Sequence, residues 1–89
     1  MPAFDASAPW ALSDQVSLRD EEFGALAYHY GTRRLVFLKS RRLVEVATSL
    51  SRYDTAAGAL TDLVGPEERP AYERALSSLA ASGVLVERR

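Results

Sequence analysis

The residue types that most often carry chemistry are scarce in this chain of 89 residues. It has no cysteine, which excludes disulfides, thiolate catalysis and every cysteine-containing metal site. Its one histidine, His29, lies between two tyrosines on a predicted strand, without a nucleophile and an orienting carboxylate spaced to act with it. The chain also lacks a nucleophile elbow, a phosphate-binding glycine loop and a paired-carboxylate motif. We therefore predict a protein with no catalytic activity, metal or cofactor of its own.

The distribution of charge restricts the function further. With 11 basic and 12 acidic residues the net charge is -1, so the chain as a whole has no electrostatic attraction to nucleic acid or membranes. Five of the 11 positive charges nevertheless fall within ten residues: Arg33, Arg34, Lys39, Arg41 and Arg42. This cluster either is solvated, at the end of a hairpin and the first turn of a helix, or contacts an acidic peptide or protein partner.

The length suits one domain, and a composition of 47% hydrophobic and 26% charged residues is typical of a folded protein. No apolar run approaches the ~20 residues of a membrane helix. The N-terminus lacks the features of a secretory signal, so we predict a cytoplasmic protein.

Residues 1–14 have no sustained periodicity and are predicted to form an N-terminal arm, flexible or docked, before a single domain at 15–89. Trp10 in this arm either anchors it to the domain or stacks on a ligand.

Three segments are predicted to form a sheet. Val16–Leu18 alternates with the period of a strand, and Ala25–Tyr30 and Arg34–Leu38 are two further strand-like runs. The last two are joined through Gly31 and Thr32, where Gly31 can supply the positive φ of a type II′ hairpin turn.

That turn fixes which side chains share a face of the sheet. One face carries Tyr28 opposite Leu35 and Leu26 opposite Phe37. The other face carries Ala25, Ala27, Val36 and Leu38. An antiparallel sheet with one solvated face alternates apolar and polar residues, but both faces of the last strand are apolar. We therefore expect the second face to be covered, either by the arm or by a partner.

Three helices follow the strands. Ser40 is a good N-cap for the first, and Asp54 is the predicted N-cap of a second helix at Thr55–Val64. Pro70 suits the first turn of the third helix, and Gly83 lies where helices commonly stop in a left-handed conformation. The first helix has an apolar stripe of Leu43, Val46, Ala47 and Leu50.

Strands that all precede helices indicate an α+β fold with segregated layers. We predict a winged-helix-like domain in which a three-stranded antiparallel sheet is followed by a three-helix unit, its last two helices spaced like a helix-turn-helix. The third strand, Arg34–Leu38, is then an edge strand that could bind an extended peptide through main-chain hydrogen bonds. The third helix would supply an apolar wall of Tyr72, Ala75, Leu76 and Leu79. Alternatively, the N-terminal arm covers this edge.

Two other functions fit the same elements. A winged-helix DNA-binding protein would use the third helix for recognition, but the N-terminal half of that helix carries Glu67, Glu68 and Glu73 against Arg69 and Arg74. The other is an interaction domain that dimerises through its exposed edge. The sequence leaves the oligomeric state open.

Several segments of the chain are distinctive when taken together. They are Trp10–Leu12, Phe23–Leu35, Phe37–Ser40, Pro70–Leu76 and Leu79–Gly83. In these segments, which span most of residues 10–86, the chain resembles the mycofactocin precursor-peptide chaperones. The hairpin segment is the most specific part of the likeness.

The resemblance implies a winged-helix-like RiPP recognition element, where RiPP stands for a ribosomally synthesised and post-translationally modified peptide. Such an element is related to the chaperone of pyrroloquinoline quinone biosynthesis and has no catalytic activity. It implies that the leader of a ribosomal precursor peptide pairs with Arg34–Leu38 and lies against Tyr72, Leu76 and Leu79. It also favours Val36 and Leu38 as the inward residues of the strand. The second implied partner is a radical S-adenosylmethionine (radical SAM) maturase, which would hold the iron–sulfur clusters and modify the C-terminal Val-Tyr of the precursor.

Overall fold

The computed structural model of the chain describes residues 4–88. Its elements in chain order are β1 (Trp10–Leu12), β2 (Val16–Glu21), β3 (Gly24–His29), β4 (Arg34–Leu38), α1 (Arg41–Ser49), a short 3₁₀ helix (Leu50–Arg52), α2 (Ala56–Leu63), α3 (Arg69–Ala81) and β5 (Leu85–Glu87). Antiparallel strands and three helices confirm the predicted α+β fold class. The structure adds a second, two-stranded sheet of β1 and β5, which the sequence did not predict.

The predicted three-stranded sheet has the order β2-β3-β4. Its hairpin register is the predicted one, with Tyr28 opposite Leu35 and Leu26 opposite Phe37. Leu38 is fully buried, whereas Leu35 and Phe37 are 59% and 57% exposed. The inner face of the sheet, which packs on the helices, is therefore the face of Ala25, Ala27, Val36 and Leu38, as the resemblance implied.

The turn of the β3–β4 hairpin differs from the prediction. Arg33, with a φ of 61°, is the residue in the left-handed conformation, and Gly31 does not have a positive φ. The backbone N–H of Arg33 donates to the carbonyl of His29, which closes a four-residue loop instead of a two-residue type II′ turn. His29 Nδ1 stabilises this loop because it accepts from the backbone N–H groups of Gly31 and Thr32.

The first helix begins as predicted, and the second begins one residue later than predicted. Ser40 caps α1 by accepting a hydrogen bond from the N–H of Leu43 at 3.0 Å. Thr55, not Asp54, is the N-cap of α2, and its hydroxyl accepts from the N–H of Gly58. The first two N–H groups of α2, those of Ala56 and Ala57, donate to the carbonyls of Ala8 and Ala6 in the N-terminal segment, which fixes where this helix starts.

The end of α3 confirms the role predicted for Gly83. Its φ is +84°, and its N–H donates to the carbonyl of Ala80 while the N–H of Val84 donates to that of Leu79. These two bonds form a Schellman motif, which stops the helix and directs the chain into β5. Pro70 lies in the first turn of α3, where its missing N–H removes no helical bond.

The two ends of the chain pair with each other through β1 and β5, with Trp10 opposite Glu87. Trp10 is only 8% exposed, stacks on Phe4 at 4.8 Å between ring centroids, and donates its indole N–H to the carbonyl of Asp5. Trp10 therefore contributes to the core. Residues 1–3 of the predicted arm lie outside the described residues.

The core lies between the inner face of the β2-β3-β4 sheet, the helices and the β1-β5 sheet. Its largest fully buried side chains are Leu38, Val46, Leu50, Leu76, Val84 and Leu85. Gly24 permits a close approach at the edge of this core, because a Cβ there would lie 2.2 Å from the carbonyl oxygen of Leu38. Within residues 4–88, no helix has both the length and the apolar character needed to cross a bilayer.

Candidate functional site

The outer edge of β4 is unpaired in the part of the chain that the structure describes, since β4 ends the order β2-β3-β4. The N–H of Tyr30 donates to the carbonyl of Gln15, on the β2 side of β3. Because backbone groups alternate in direction along a strand, Ala25 and Ala27 direct theirs towards β4, where Ala27 faces Val36. Val36 and Leu38 are therefore bonded within the sheet, and the N–H and C=O groups of Leu35 and Phe37 point to the open edge.

The predicted alternative, in which the N-terminal arm covers this edge, is wrong for the described residues. Residues 10–12 pair with β5, and the carbonyls of Ala6 and Ala8 accept hydrogen bonds from α2. The arm is held there because Trp10 is buried and Phe4 is partly buried against α3 and β5. It therefore covers neither the edge of β4 nor the face of the sheet that points away from the helices.

A groove runs beside this edge, between β4 and α3. One part, of about 350 Å³, is lined by Val36, Phe37, Lys39, Leu43, Ala75, Ser78, Leu79 and Ser82. An adjoining part, of about 220 Å³, is lined by Lys39, Ser40, Leu43, Ala71, Tyr72 and Ala75. From Ala71 to Ser82 the helix rises about 16 Å, which matches about five residues of extended chain.

The groove is open because α3 presents small side chains to it. Ala71, Ala75, Ser78 and Ser82 recur every three or four residues, which places them on one face of the helix. Leucine or phenylalanine at these positions would fill the space next to β4. The bottom of the groove is apolar because Val36, Leu43 and Leu79 line it. The arrangement can therefore accept apolar side chains from a strand laid along β4.

The structure divides the predicted site residues into three groups. Val36, Phe37, Tyr72, Ala75 and Leu79 line the groove. Leu38 and Leu76 are fully buried and support its walls from within the core. Arg34 is exposed at the start of β4, and Leu35 faces the opposite side of the sheet from the groove.

Sequence reasoning missed several groove residues. They are Lys39, Ser40, Leu43, Ala71, Ser78 and Ser82. The recurrence of small residues on α3 was a readable signal for Ala71, Ser78 and Ser82. Leu43 belongs to the apolar stripe of α1, and its second role at the groove depends on where α1 packs, which periodicity does not give.

The positive charges near the groove differ in how they are engaged. Arg42 donates to the carbonyl of Leu63, and Arg69 donates to the carbonyls of Leu60, Thr61 and Val64 at the end of α2. Arg69 is therefore withdrawn from the surface that a DNA-recognition helix would use, which argues against the DNA-binding alternative. Lys39, in contrast, is exposed and lines both parts of the groove. Among residues 4–88, no three acidic or histidine side chains cluster as metal ligands.

Comparisons with known proteins identify relatives across almost the whole chain. Residues 9–86 match the Peptide chaperone MftB family. Proteins named Peptide chaperone MftB from Mycolicibacterium smegmatis and Mycobacterium tuberculosis are 45% and 43% identical to it. The matches cover 93% and 96% of this chain and 82% and 79% of those relatives. The role these names give, peptide chaperone, is a non-enzymatic one. No solved structure is a significant match to the chain.

Proposed function

Because the chain belongs to the Peptide chaperone MftB family, we propose that it captures the leader of the mycofactocin precursor peptide on β4 and presents the peptide to a radical SAM maturase. Family membership makes its role that of a non-enzymatic peptide chaperone. The observation that carries the finer proposal is the open edge of β4 beside an apolar groove. The groove is long enough for about five residues of extended chain.

Capture proceeds by strand addition. The leader forms main-chain hydrogen bonds with the outward N–H and C=O groups of Leu35 and Phe37, four bonds in all, which contribute about 2–6 kcal/mol at about 0.5–1.5 kcal/mol each. Association costs about 4–15 kcal/mol in lost freedom of motion, so the backbone bonds are not sufficient alone. Apolar side chains of the leader, placed in the groove at every second position, supply the rest.

The residues of the site act in two ways. Val36, Phe37, Tyr72, Ala75 and Leu79 contact the apolar side chains of the leader, and Leu38 and Leu76 hold those residues in place from the core. Arg34 and Lys39, at the two ends of β4, favour a leader with acidic groups flanking its apolar residues. Presentation to the maturase then raises the local concentration of the precursor near the enzyme.

The test is a calorimetric titration of the protein with the synthetic leader, repeated with peptides that carry one N-methyl group at successive positions. N-methylation removes a single N–H. We expect affinity to fall about tenfold at every second position, where the N–H faces β4, and to change little at the positions between, since one net hydrogen bond is worth about that factor.

The outcomes separate the parts of the proposal. Saturable one-to-one binding with this two-residue periodicity supports strand addition. Saturable binding without the periodicity contradicts strand addition and leaves capture in place. No binding to a folded sample would overturn the capture of this leader altogether.

A further inference from the structure

The face of the β2-β3-β4 sheet that points away from the helices is apolar over β3 and β4. We call the whole of it the outer face, and on β2 it carries Ser17 and Arg19, opposite Tyr28 and Leu26. Its apolar side chains are Phe23, Leu26, Tyr28, Tyr30, Leu35 and Phe37. Four of these, Phe23, Tyr30, Leu35 and Phe37, are 44–59% exposed. They form aromatic contacts along the face, with ring centroids 5.6 Å apart for Phe23 and Phe37 and 5.3 Å apart for Tyr28 and Tyr30.

No described element covers the outer face. The helices pack on the opposite face of the sheet, and the N-terminal segment pairs with β5. The solvated face of an antiparallel sheet normally carries polar residues. Contiguous exposed apolar groups of this kind mark interaction sites.

The outer face is continuous with the groove. Phe37 and Lys39 line the groove, and together with Phe23 they also line a second depression of about 370 Å³ on the outer side. A strand added to β4 would direct its inward side chains into the groove and its outward side chains onto the outer face, next to Leu35 and Phe37. A captured peptide would therefore widen this apolar face by one strand.

From this continuity we infer that the outer face, completed by the outward side chains of the captured leader, is the docking surface for the enzyme that modifies the peptide. The inference rests on the proposed function, because it takes strand addition on β4 as given. It adds a second surface with a second occupant, and it lets the enzyme distinguish the loaded chaperone from the empty one.

The size of the outer face favours a transient enzyme partner over a second copy of this chain. Three strands spaced about 4.8 Å apart, over about five or six residues at 3.3 Å each, give a footprint of roughly 250 Å². A stable interface needs about 800 Å² from each partner. The outer face is therefore too small to hold a lasting dimer and suits an encounter that is strengthened when the leader is present.

The charges at the rim point the same way. Arg19 and Glu21, on the β2 side of the outer face, neutralise each other in an ion pair of 2.8 Å. Lys39, on the β4 side, forms no ion pair among the described residues. Arg33 is also exposed, at the tip of the adjoining hairpin. A symmetric second copy would bring the same cations to the interface. The partner surface we infer has an apolar centre and a carboxylate that can face Lys39.

The experiment compares three proteins: the wild type, the double variant Phe23→Ser/Tyr30→Ser, and the control variant Val86→Ser. Phe23 and Tyr30 lie outside β4 and do not line the groove. Val86 is 42% exposed but lies on β5. Each protein is titrated with the synthetic leader, and then, empty and loaded, with the purified radical SAM maturase of the proposed function.

We expect the double variant to bind the leader within about twofold of the wild type and the enzyme at least about tenfold more weakly, because each buried aromatic side chain is worth about that factor or more. Val86→Ser should leave both affinities unchanged. The loaded wild type should bind the enzyme more tightly than the empty one, and by linkage the enzyme should tighten leader binding by the same factor.

Different results overturn different claims. If the leader binds and the folded double variant retains full affinity for the enzyme, the docking surface is wrong and the proposed function stands. If wild type shows a concentration-dependent mass that the double variant loses, the outer face binds a second copy, and this inference is overturned. If the wild type does not bind the leader, the proposed function fails, and the docking inference fails with it.

Discussion

Ser40 joins the edge strand to the helix that supports the groove. Its hydroxyl accepts from the N–H of Leu43, and Ser40 and Leu43 both line the groove. We expect Ser40→Ala to lower the free energy of unfolding by about 1 kcal/mol, since it leaves one N–H at the start of α1 without a partner, and Ser40→Asp to restore most of the loss. Urea denaturation measures both.

The matched control is Ser51→Ala, at an exposed serine whose hydroxyl forms no hydrogen bond among the described residues. It should change the free energy of unfolding by less than about 0.5 kcal/mol. Equal losses in Ser40→Ala and Ser51→Ala would show that the cap contributes nothing beyond an ordinary surface serine.

Asp5 provides a pH-dependent prediction at the same scale. The pKa of its carboxyl is held below the ordinary value of 3.8 because the carboxylate accepts from the hydroxyl and from the N–H of Ser7. A lowered folded-state pKa contributes stability above the unfolded value, and this stability is lost as the pH falls through the folded one.

The measurement is an NMR titration of the Asp5 side chain between pH 2 and 6 (about the range in which aspartates titrate). We expect the pKa of Asp5 to rise towards 3.8 in Ser7→Ala, because the substitution removes the hydrogen bond from the Ser7 hydroxyl, which lowers this pKa the most. The same titration midpoint in both proteins would mean that the hydroxyl of Ser7 does not lower the pKa of Asp5.

Single-residue signals in the sequence were reliable where the partner is local. The Ser40 cap and the Gly83 stop depend on atoms within five residues, and both were confirmed. The choice between Asp54 and Thr55 is different, because both are good caps. Ala6 and Ala8 decide it by accepting the first N–H groups of α2, and the sequence gives no sign of a contact across some 50 positions.

At the scale of elements, the small residues of α3 determine whether the groove stays open. We expect Ala75→Leu to weaken binding of the leader at least about tenfold, because the larger side chain occupies the space that a leader side chain would fill. The control is Ala81→Leu, the same substitution on the same helix but facing Phe4 and Trp10. Calorimetric titration of both variants checks the prediction.

Two results would contradict the groove assignment. Leader affinity unchanged in a folded Ala75→Leu variant would remove α3 from the site. A loss in Ala81→Leu equal to that in Ala75→Leu would show that the effect comes from the stability of the helix and not from the occupied space.

The hairpin shows how far elements could be predicted. The register follows from alternation of side chains and was correct, since a slip of one residue would expose Ala25 and Leu38. The turn conformation was wrong, because four loop residues can close the same register and His29 stabilises the longer loop. The groove was predicted in outline, from the edge strand and α3. Its α1 side was not, because the crossing of two helices is set by packing.

At the scale of the whole molecule, stability depends on the sheet that joins the two ends. We expect Trp10→Ala to lower the free energy of unfolding by about 3 kcal/mol or more, since it removes a buried aromatic side chain and its hydrogen bond to Asp5. Leader affinity should remain within about twofold, because Trp10 lies on the other side of α3 from the groove. Thermal unfolding and calorimetry measure the two effects separately.

Tyr30→Ala is the control. Because Tyr30 is 58% exposed, this substitution should lower the free energy of unfolding by less than about 1 kcal/mol. A Trp10→Ala variant as stable as the control would show that the β1-β5 sheet is dispensable. Loss of leader binding in a folded Trp10→Ala variant would instead mean that the end of the chain reaches the site. The sheet itself was not predicted, because strands of three residues carry too little periodicity to identify.

The pairing of Trp10 with Glu87 has a consequence for how the protein is made. β1 cannot pair with β5 until the ribosome has added the residues up to 87, which takes about 4–15 s at 5–20 residues per second. During that time the aromatic residues near the N-terminus lack their final partner, and the nascent protein is exposed to chaperones and proteases. Arrested chains that end at residue 84 should be cut near Trp10 by a protease, whereas released full-length chains should resist.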